Sequence, residues 1–248
     1  MKPMLAYNFT GQNSKGWWMS EKLDGVRAIW DGSNLLSRNG KIFHASRWFL
    51  EGLPKNEILD GELWQGRGLF QQTVGKVRTQ YEPDWSGIKF VVFDVVNADT
   101  FEKRLQLLQT LDLPDHVKIV EQIQCKNREH LEHYKTTIID SGGEGVMLRA
   151  AGSFYEHKRS NSLLKIKRMQ TAEAKIVGYK KGNGKHLGRI GALICKYKGK
   201  LIRLGTGLTD QQREIPPQIG TKVTFSFFEL TTAGMPRFPV FLAKRDYE

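Results

Sequence analysis

Apolar positions in the first hundred residues fall in short runs cut by Gly, Asn and Asp. Val26 to Trp30 alternates, with Arg27 and Ile29 on one face and Val26, Ala28 and Trp30 on the other, which predicts a strand. Asp31-Gly32-Ser33-Asn34 reads as a turn, and Asn39-Gly40 as a tight hairpin, because both of its positions tolerate positive φ. Ile58 to Trp64 predicts a further strand. Phe90 to Val96 predicts one buried on both faces and interrupted by a single acid, Asp94. Phe101, Leu105 and Leu108 recur at helical spacing among charged residues, and Leu131, Tyr134, Ile138 and Ile139 form a second amphipathic stripe that Ser141-Gly142-Gly143 ends.

The texture changes after Lys167-Arg168. Ala174–Tyr179, Ile190–Tyr197, Leu201–Leu204, Val223–Leu230 and Phe238–Ala243 are five strand candidates, with turns at Gly182-Asn183-Gly184 and Lys198-Gly199. Roughly 80 residues with about five strands suit a small β-barrel of the OB type. The boundary is placed near Met169-Gln170, giving an α+β chain of two domains, 1–169 and 170–248.

Charge sharpens this division. The 248 residues carry 38 Lys and Arg against 26 Asp and Glu, a net +12. From Ala172 onward the count is 14 against 6, so the C-terminal third holds two-thirds of the excess and suits a polyanion such as nucleic acid. No apolar run reaches the roughly 18 residues of a membrane-spanning helix, and no secretory leader is visible at the N-terminus. Cys125 and Cys195, with no Cys-x-x-Cys, exclude a zinc ribbon and a disulfide scaffold; they read as ordinary small apolar residues, with a single Cys–Cys bond as the alternative.

Candidate chemistry begins at Glu21-Lys22-Leu23-Asp24-Gly25-Val26-Arg27. A lysine at the mouth of a strand, with a carboxylate two residues on, can present a nucleophilic amine, although a surface turn looks the same. Leu164-Lys165-Ile166-Lys167 puts two lysines on one face of a strand, where they repel unless an anion lies against them; a phosphate chain is a natural guest, and a solvated edge strand is the alternative. Glu62 and Glu144 each follow a Gly at the head of an apolar run, as water-facing edge acids or as a pair able to hold Mg²⁺ against phosphates. Phe93 is either plain core or a surface for stacking a purine.

Taken in order, Glu21-Lys22-Leu23-Asp24-Gly25-Val26-Arg27, Ser37-Arg38-Asn39-Gly40, Leu59-Asp60-Gly61-Glu62-Leu63, Phe93-Asp94, Glu144-Gly145-Val146-Met147 and Leu164-Lys165-Ile166-Lys167 resemble the motif set of the covalent nucleotidyltransferases. That superfamily contains ATP-dependent DNA ligases, RNA ligases and mRNA capping enzymes. Gly188-Arg189-Ile190-Gly191-Ala192, Gly205-Thr206-Gly207-Leu208-Thr209-Asp210 and Pro236-Arg237-Phe238-Pro239 are similar to ATP-dependent DNA ligases in particular. With no N-terminal DNA-binding domain before Lys22, the chain resembles the minimal bacterial ligases of the Lig E type.

The resemblance implies an adenylation domain with antiparallel sheets followed by an OB-fold barrel, using ATP and Mg²⁺ to seal nicks in duplex DNA as a monomer. Lys22 would form a lysine–AMP adduct. Crowding by Lys165 and Lys167, with partial burial, would expose its amine, while Glu21 and Asp24 push the other way. Arg27 and Glu62 would contact the ribose, Phe93 would stack on adenine, and Glu21 belongs to the same nucleotide site. Glu62 and Glu144 would hold the metal, Lys165 and Lys167 would neutralise the α-phosphate, and Asp24 would act in the closing step. Arg38, Arg67, Lys180, Lys181, Lys185, Arg189 and Arg237 would meet DNA, with Lys196 and Lys198 as further contributors. The C-terminal pyrophosphate-orienting motif has only a degenerate counterpart in Arg237, Lys244, Arg245 and Asp246. An RNA ligase or capping-type enzyme, and a non-catalytic OB-type binder, are the competing readings. The compartment implied is the periplasm if a leader has been removed, and otherwise the cytoplasm.

Overall fold

A computed structural model describes residues 1–81, 84–231 and 233–245. Its two units are Met1–Lys167 and Arg168–Glu248. The first contains β1 (Leu5–Asn8), β2 (Trp18–Glu21), β3 (Val26–Trp30), β4 (Leu35–Ser37), α1 (Arg47–Leu50), β5 (Leu59–Trp64), α2 (Phe70–Arg78), β6 (Lys89–Val95), α3 (Phe101–Thr110), β7 (Val117–Ile119), β8 (Ile123–Gln124), α4 (Arg128–Asp140), β9 (Gly145–Arg149) and β10 (Arg159–Lys167). These strands make two five-stranded sheets, ordered β1-β10-β9-β2-β8 and β4-β3-β5-β6-β7.

The β4-to-β7 sheet carries the larger core, in which Ala28, Trp30, Leu59, Leu63, Phe90, Val92 and Val95 meet Phe49 and Trp85. The stripe expected at Phe101, Leu105 and Leu108 is buried on α3, which packs against β6. Helix α4 begins where the Asn127 side chain accepts the main-chain N–H of His130, satisfying one of the otherwise unpaired donors of the first turn. Its buried Leu131 joins Met19, Val146, Leu148 and Leu164 under the other sheet. The acid within the β6 run, Asp94, is buried because two arginines neutralise it: Arg104 donates from Nε at 2.7 Å and from Nη2 at 3.1 Å, and Arg149 Nη2 lies at 2.9 Å. Since Asp94 is on β6 and Arg149 on β9, this cluster ties the two sheets together.

The first unit's sheets are largely antiparallel, as expected, and each adds one parallel pair, β1 with β10 and β6 with β7. Both parallel pairs join strands separated by long connections, which parallel pairing requires. The second unit, with β11 (Gln170–Lys181), β12 (Ile190–Tyr197), β13 (Lys200–Leu204), α5 (Asp210–Glu214), β14 (Lys222–Phe227) and β15 (Val240–Lys244), is one antiparallel sheet ordered β13-β12-β11-β14-β15 and not a closed barrel. Among the described residues its edges touch through one isolated bridge, Thr206 with Val240, and Phe241 N–H donates to Thr206 O at 2.9 Å. Gly207, with φ +92°, turns the chain after β13, and only glycine fits so close to β15, since a Cβ there would lie 2.1 Å from Phe241 O. Strand β14 also stops three residues short of the expected Leu230, because Phe228 N–H turns to Arg237 O.

Candidate active site

Strand pairing assembles the site. In the order β10-β9-β2, Lys167 lies opposite Gly145, and Lys22 N–H bonds Gly145 O at 2.9 Å just beyond the Glu21–Val146 pair. Lys22 and Lys167 therefore flank a residue with no side chain, and Glu144 precedes that residue in the chain. The Glu144 carboxylate, almost fully buried, accepts Lys22 Nζ on Oε2 at 2.5 Å and Lys167 Nζ on Oε1 at 3.1 Å. Gly145 has φ +152°, and a Cβ there would lie 2.0 Å from Ile166 O. One step along the same face, Lys165 pairs with Met147, which in turn faces Ser20. Burial, and then the charges of Lys167, Arg159, Lys22 and Arg38, push the Lys165 ammonium below its ordinary pKa.

The opposing wall comes from β3, β5 and β6. Arg27 pairs across strands with Glu62. The register of β5 on β6 slips between Asp60 and Gly61, which leaves Phe93 as the extra residue of a bulge and turns its ring out of the core toward Arg27, whose guanidinium lies 4.6 Å from the ring centroid. Gly61 permits this packing, since a Cβ would fall 2.6 Å from the Phe90 ring. Asp60 grips Arg27 with two bonds of 2.5 Å, and Arg27 Nη2 also donates to Met4 O at 3.2 Å. Burial works against the Arg27 charge, but Asp60 outweighs it and holds the pKa above the usual arginine value. None of the described residues hydrogen-bonds or ion-pairs with Glu62. Burial, opposed by Lys22 and Arg27 and assisted by Glu144 and Asp60, pushes its carboxyl up to about 7.

The two walls face one cavity, lined by Ser20, Lys22, Met147 and Lys165 from one sheet and by Arg27, Glu62 and Phe93 from the other. Arg38, Arg149 and Arg159 line it too. Burial lowers the pKa of Arg149 despite Asp94. Asp24 sits two residues past Lys22 on a turn that Gly25 presses against β5; a Cβ at Gly25 would lie 2.4 Å from Leu63 O. Glu21 reaches the cavity lining, but Arg67 holds its carboxylate from Nε and Nη2 at 2.8 Å each. Arg67 also donates to Ser141 O. Asp60, Tyr155, Arg149 and Arg159 are site residues that sequence reasoning missed.

The expected DNA residues of the second unit differ in their freedom. Lys180 and Lys181 are exposed and line a surface cleft with Arg203 and Phe238, and Lys185, Lys196 and Lys198 are also exposed. Arg189 is paired with Glu214 at 2.9 Å and Asp210 at 3.6 Å. Arg237 is paired with Glu229 and stacked near Phe228 and Phe238, each ring centroid at 5.4 Å. Arg245 pairs with Glu173 at 2.8 Å, and Asp246 lies outside the described residues. Among the described residues no group of three or more His, Cys, Asp or Glu side chains could hold a metal, and no helix is long and apolar enough to cross a membrane.

Two sheets closing on a lysine-lined cavity, followed by an OB-like sheet, define a nucleotidyltransferase of the ligase class. Residues 3–167 match the family model of the ATP dependent DNA ligase domain, and residues 181–245 that of the DNA ligase OB-like domain. The chain belongs to the ATP-dependent DNA ligases and joins DNA at the expense of ATP. It is 35% identical to a DNA ligase of Haemophilus influenzae, over 96% of this chain and 90% of that one. A solved structure of a Lig E DNA ligase superposes with a TM-score of 0.91 at 36% identity, covering 99% of both chains. A Chlorella virus DNA ligase–adenylate gives 0.59 at 28% identity, covering 100% of this chain and 99% of that one.

Proposed function

We propose that Lys22 carries AMP between ATP and the 5′-phosphate of a nick in duplex DNA, with the chain acting as a monomer. The observation that carries this reading is the row Lys22–Gly145–Lys167 closed by Glu144. Glu144 Oε2 hydrogen-bonds the Lys22 ammonium and orients it, and the amine sheds its proton to water before it attacks. The Nζ lone pair then forms the bond to the α-phosphorus of ATP as the α–β P–O bond breaks and pyrophosphate leaves. Lys165 and Lys167 offset the charge that builds on the α-phosphate. Arg27, immobilised by Asp60, meets the ribose together with Glu62, and Phe93 stacks on the base.

In the second step an oxygen of the nick 5′-phosphate attacks the same phosphorus and the P–N bond breaks, returning Lys22. In the third the 3′-hydroxyl attacks the activated 5′-phosphate, AMP leaves and the phosphodiester is complete; Asp24 serves this step. Glu62, without a partner among the described residues, and Glu144 suit Mg²⁺, which favours one or two carboxylates alongside phosphate oxygens and would supply charge neutralisation there. Arg38 meets the nick phosphate, Arg67 steadies Glu21 beside the nucleotide, and Lys180, Lys181 and Lys185 contact the duplex backbone without reading sequence.

The test is sealing of a singly nicked, end-labelled duplex with ATP or GTP, beside an RNA of the same sequence. The expected result is joined DNA with ATP and little product with GTP or RNA. Equal sealing of RNA or equal use of GTP would refute the proposal.

A further inference from the structure

We infer that Tyr155, acting with the main chain of Met4, is a positioning residue for the nucleotide ribose, so that the N-terminal segment is part of the nucleotide site. The inference rests on the reading that Arg27 binds the ribose. The Tyr155 hydroxyl donates to Asp60 Oδ2 at 2.6 Å and accepts the Met4 N–H at 3.1 Å. Asp60 uses the same Oδ2, and Oδ1, to hold Arg27, and Arg27 Nη2 reaches the Met4 carbonyl. Tyr155, Asp60, Arg27 and Met4 thus form a closed ring of hydrogen bonds.

Each group in the ring has a place that the fold dictates. Asp60 is wholly buried on β5, and Tyr155 is 8% exposed on the segment between β9 and β10. Met4 is wholly buried just ahead of β1, and the parallel pairing of β1 on β10 fixes it there. The ring therefore joins both walls of the cavity through Arg27. An arginine held by Asp60 alone can pivot about the carboxylate, whereas the tyrosine fixes the carboxylate and the Met4 carbonyl fixes the second Nη2 contact. Burial and the adjacent Asp60 charge keep the phenol protonated far above its usual range, so Tyr155 remains a donor at any working pH. Side chains locked by such outer contacts hold a binding group in its productive orientation, and loosening them misplaces it.

Tyr155→Phe removes the hydroxyl and keeps the ring. The experiment measures lysine adenylylation with ATP and with 2′,3′-dideoxy-ATP, and separately the binding of a nicked duplex in the absence of nucleotide, where no ribose of AMP is present. The expected result is about a tenfold rise in the KM for ATP, the loss of one charged hydrogen bond. The wild-type preference for ATP over the dideoxy nucleotide should shrink by the same factor, and the Kd for a nicked duplex in the absence of nucleotide should stay within about twofold. Replacing Met4 by its α-hydroxy analogue, an ester in place of the amide, removes the N–H that Tyr155 accepts and keeps the buried side chain; it should move the preference in the same direction and covers the case in which Tyr155→Phe does not fold. A preference ratio unchanged in a folded variant, or an equal loss of nicked-duplex binding in the absence of nucleotide, would overturn the inference. If wild-type protein shows no preference for the ribose hydroxyls, the reading of Arg27 fails instead.

Discussion

Asp94 offers the sharpest test of how the site is held. Its carboxylate accepts three contacts of 2.7 to 3.1 Å from Arg104 and Arg149, and the acid and Arg104 are wholly shielded from water. Asp94→Asn keeps the shape but leaves two buried guanidiniums facing a neutral amide. Removing one partner of a buried ion pair costs about 3–5 kcal/mol, chiefly because the remaining charge stays desolvated. For a unit of this size each kcal/mol shifts Tm by about 2–4 °C, so the first unit should melt about 6–20 °C lower. All six tryptophans lie at or before Trp85, so fluorescence excited selectively at tryptophan reports on that unit alone. The control is Asp94→Asn with Arg149→Met, which removes one unbalanced charge and should recover about 1–2 kcal/mol. A Tm shift below about 2 °C, or strict additivity in the double variant, would refute the reasoning.

Other outcomes follow from the same geometry. Glu62 binds a proton with a pKa of about 7 in the folded state against an ordinary 4.5, so the native state holds the extra proton and stability falls as pH rises through that window. Glu62→Gln should therefore stabilise the nucleotide-free protein at pH 8, by up to ~3 kcal/mol, but hardly at pH 4.5; calorimetry at the two pH values checks this, and an equal gain at both contradicts it. Gly145→Ala places a Cβ 2.0 Å from Ile166 O at φ +152°, and should cost at least about 2 kcal/mol and cut adenylylation more than tenfold, read by melting and label transfer. Lys181→Ala should weaken nick binding and flatten its log–log salt dependence by about one, whereas Arg189→Ala, whose charge Glu214 already matches, should change the slope less in the same titration.

Local pattern carried much of this fold. Strands β3 and β12 start and end where alternation and turn residues place them, and the Lys165/Lys167 spacing put both lysines opposite Leu164 and Ile166, which do pack under the sheet. The edge strands β1, β7 and β8 escaped because two to four residues carry no usable period and are held by partners far along the chain. The ring of Tyr155, Asp60 and Arg27 was illegible for a related reason: Tyr155 and Asp60 are 95 residues apart, and an acid in an apolar run reveals nothing of its partner. Phe93 could be read either as core or as a stacking surface, and only the bulge, a property of two strands together, decides which way its ring points. Charge alone likewise did not separate Lys180 and Lys181, which face solvent, from Arg189 and Arg237, which face carboxylates.

In the proposed reaction Lys22 is the carrier of AMP. The most direct measurement is peptide mass spectrometry of the protein after incubation with ATP and magnesium and quenching in denaturant, with a pyrophosphate-treated sample to strip any AMP already attached. The expected result is one adenylyl group, mapped to the peptide containing Lys22, removed by pyrophosphate and absent from Lys22→Ala. An adenylyl group on Lys165, Lys167 or another residue, or its persistence in Lys22→Ala, would contradict it.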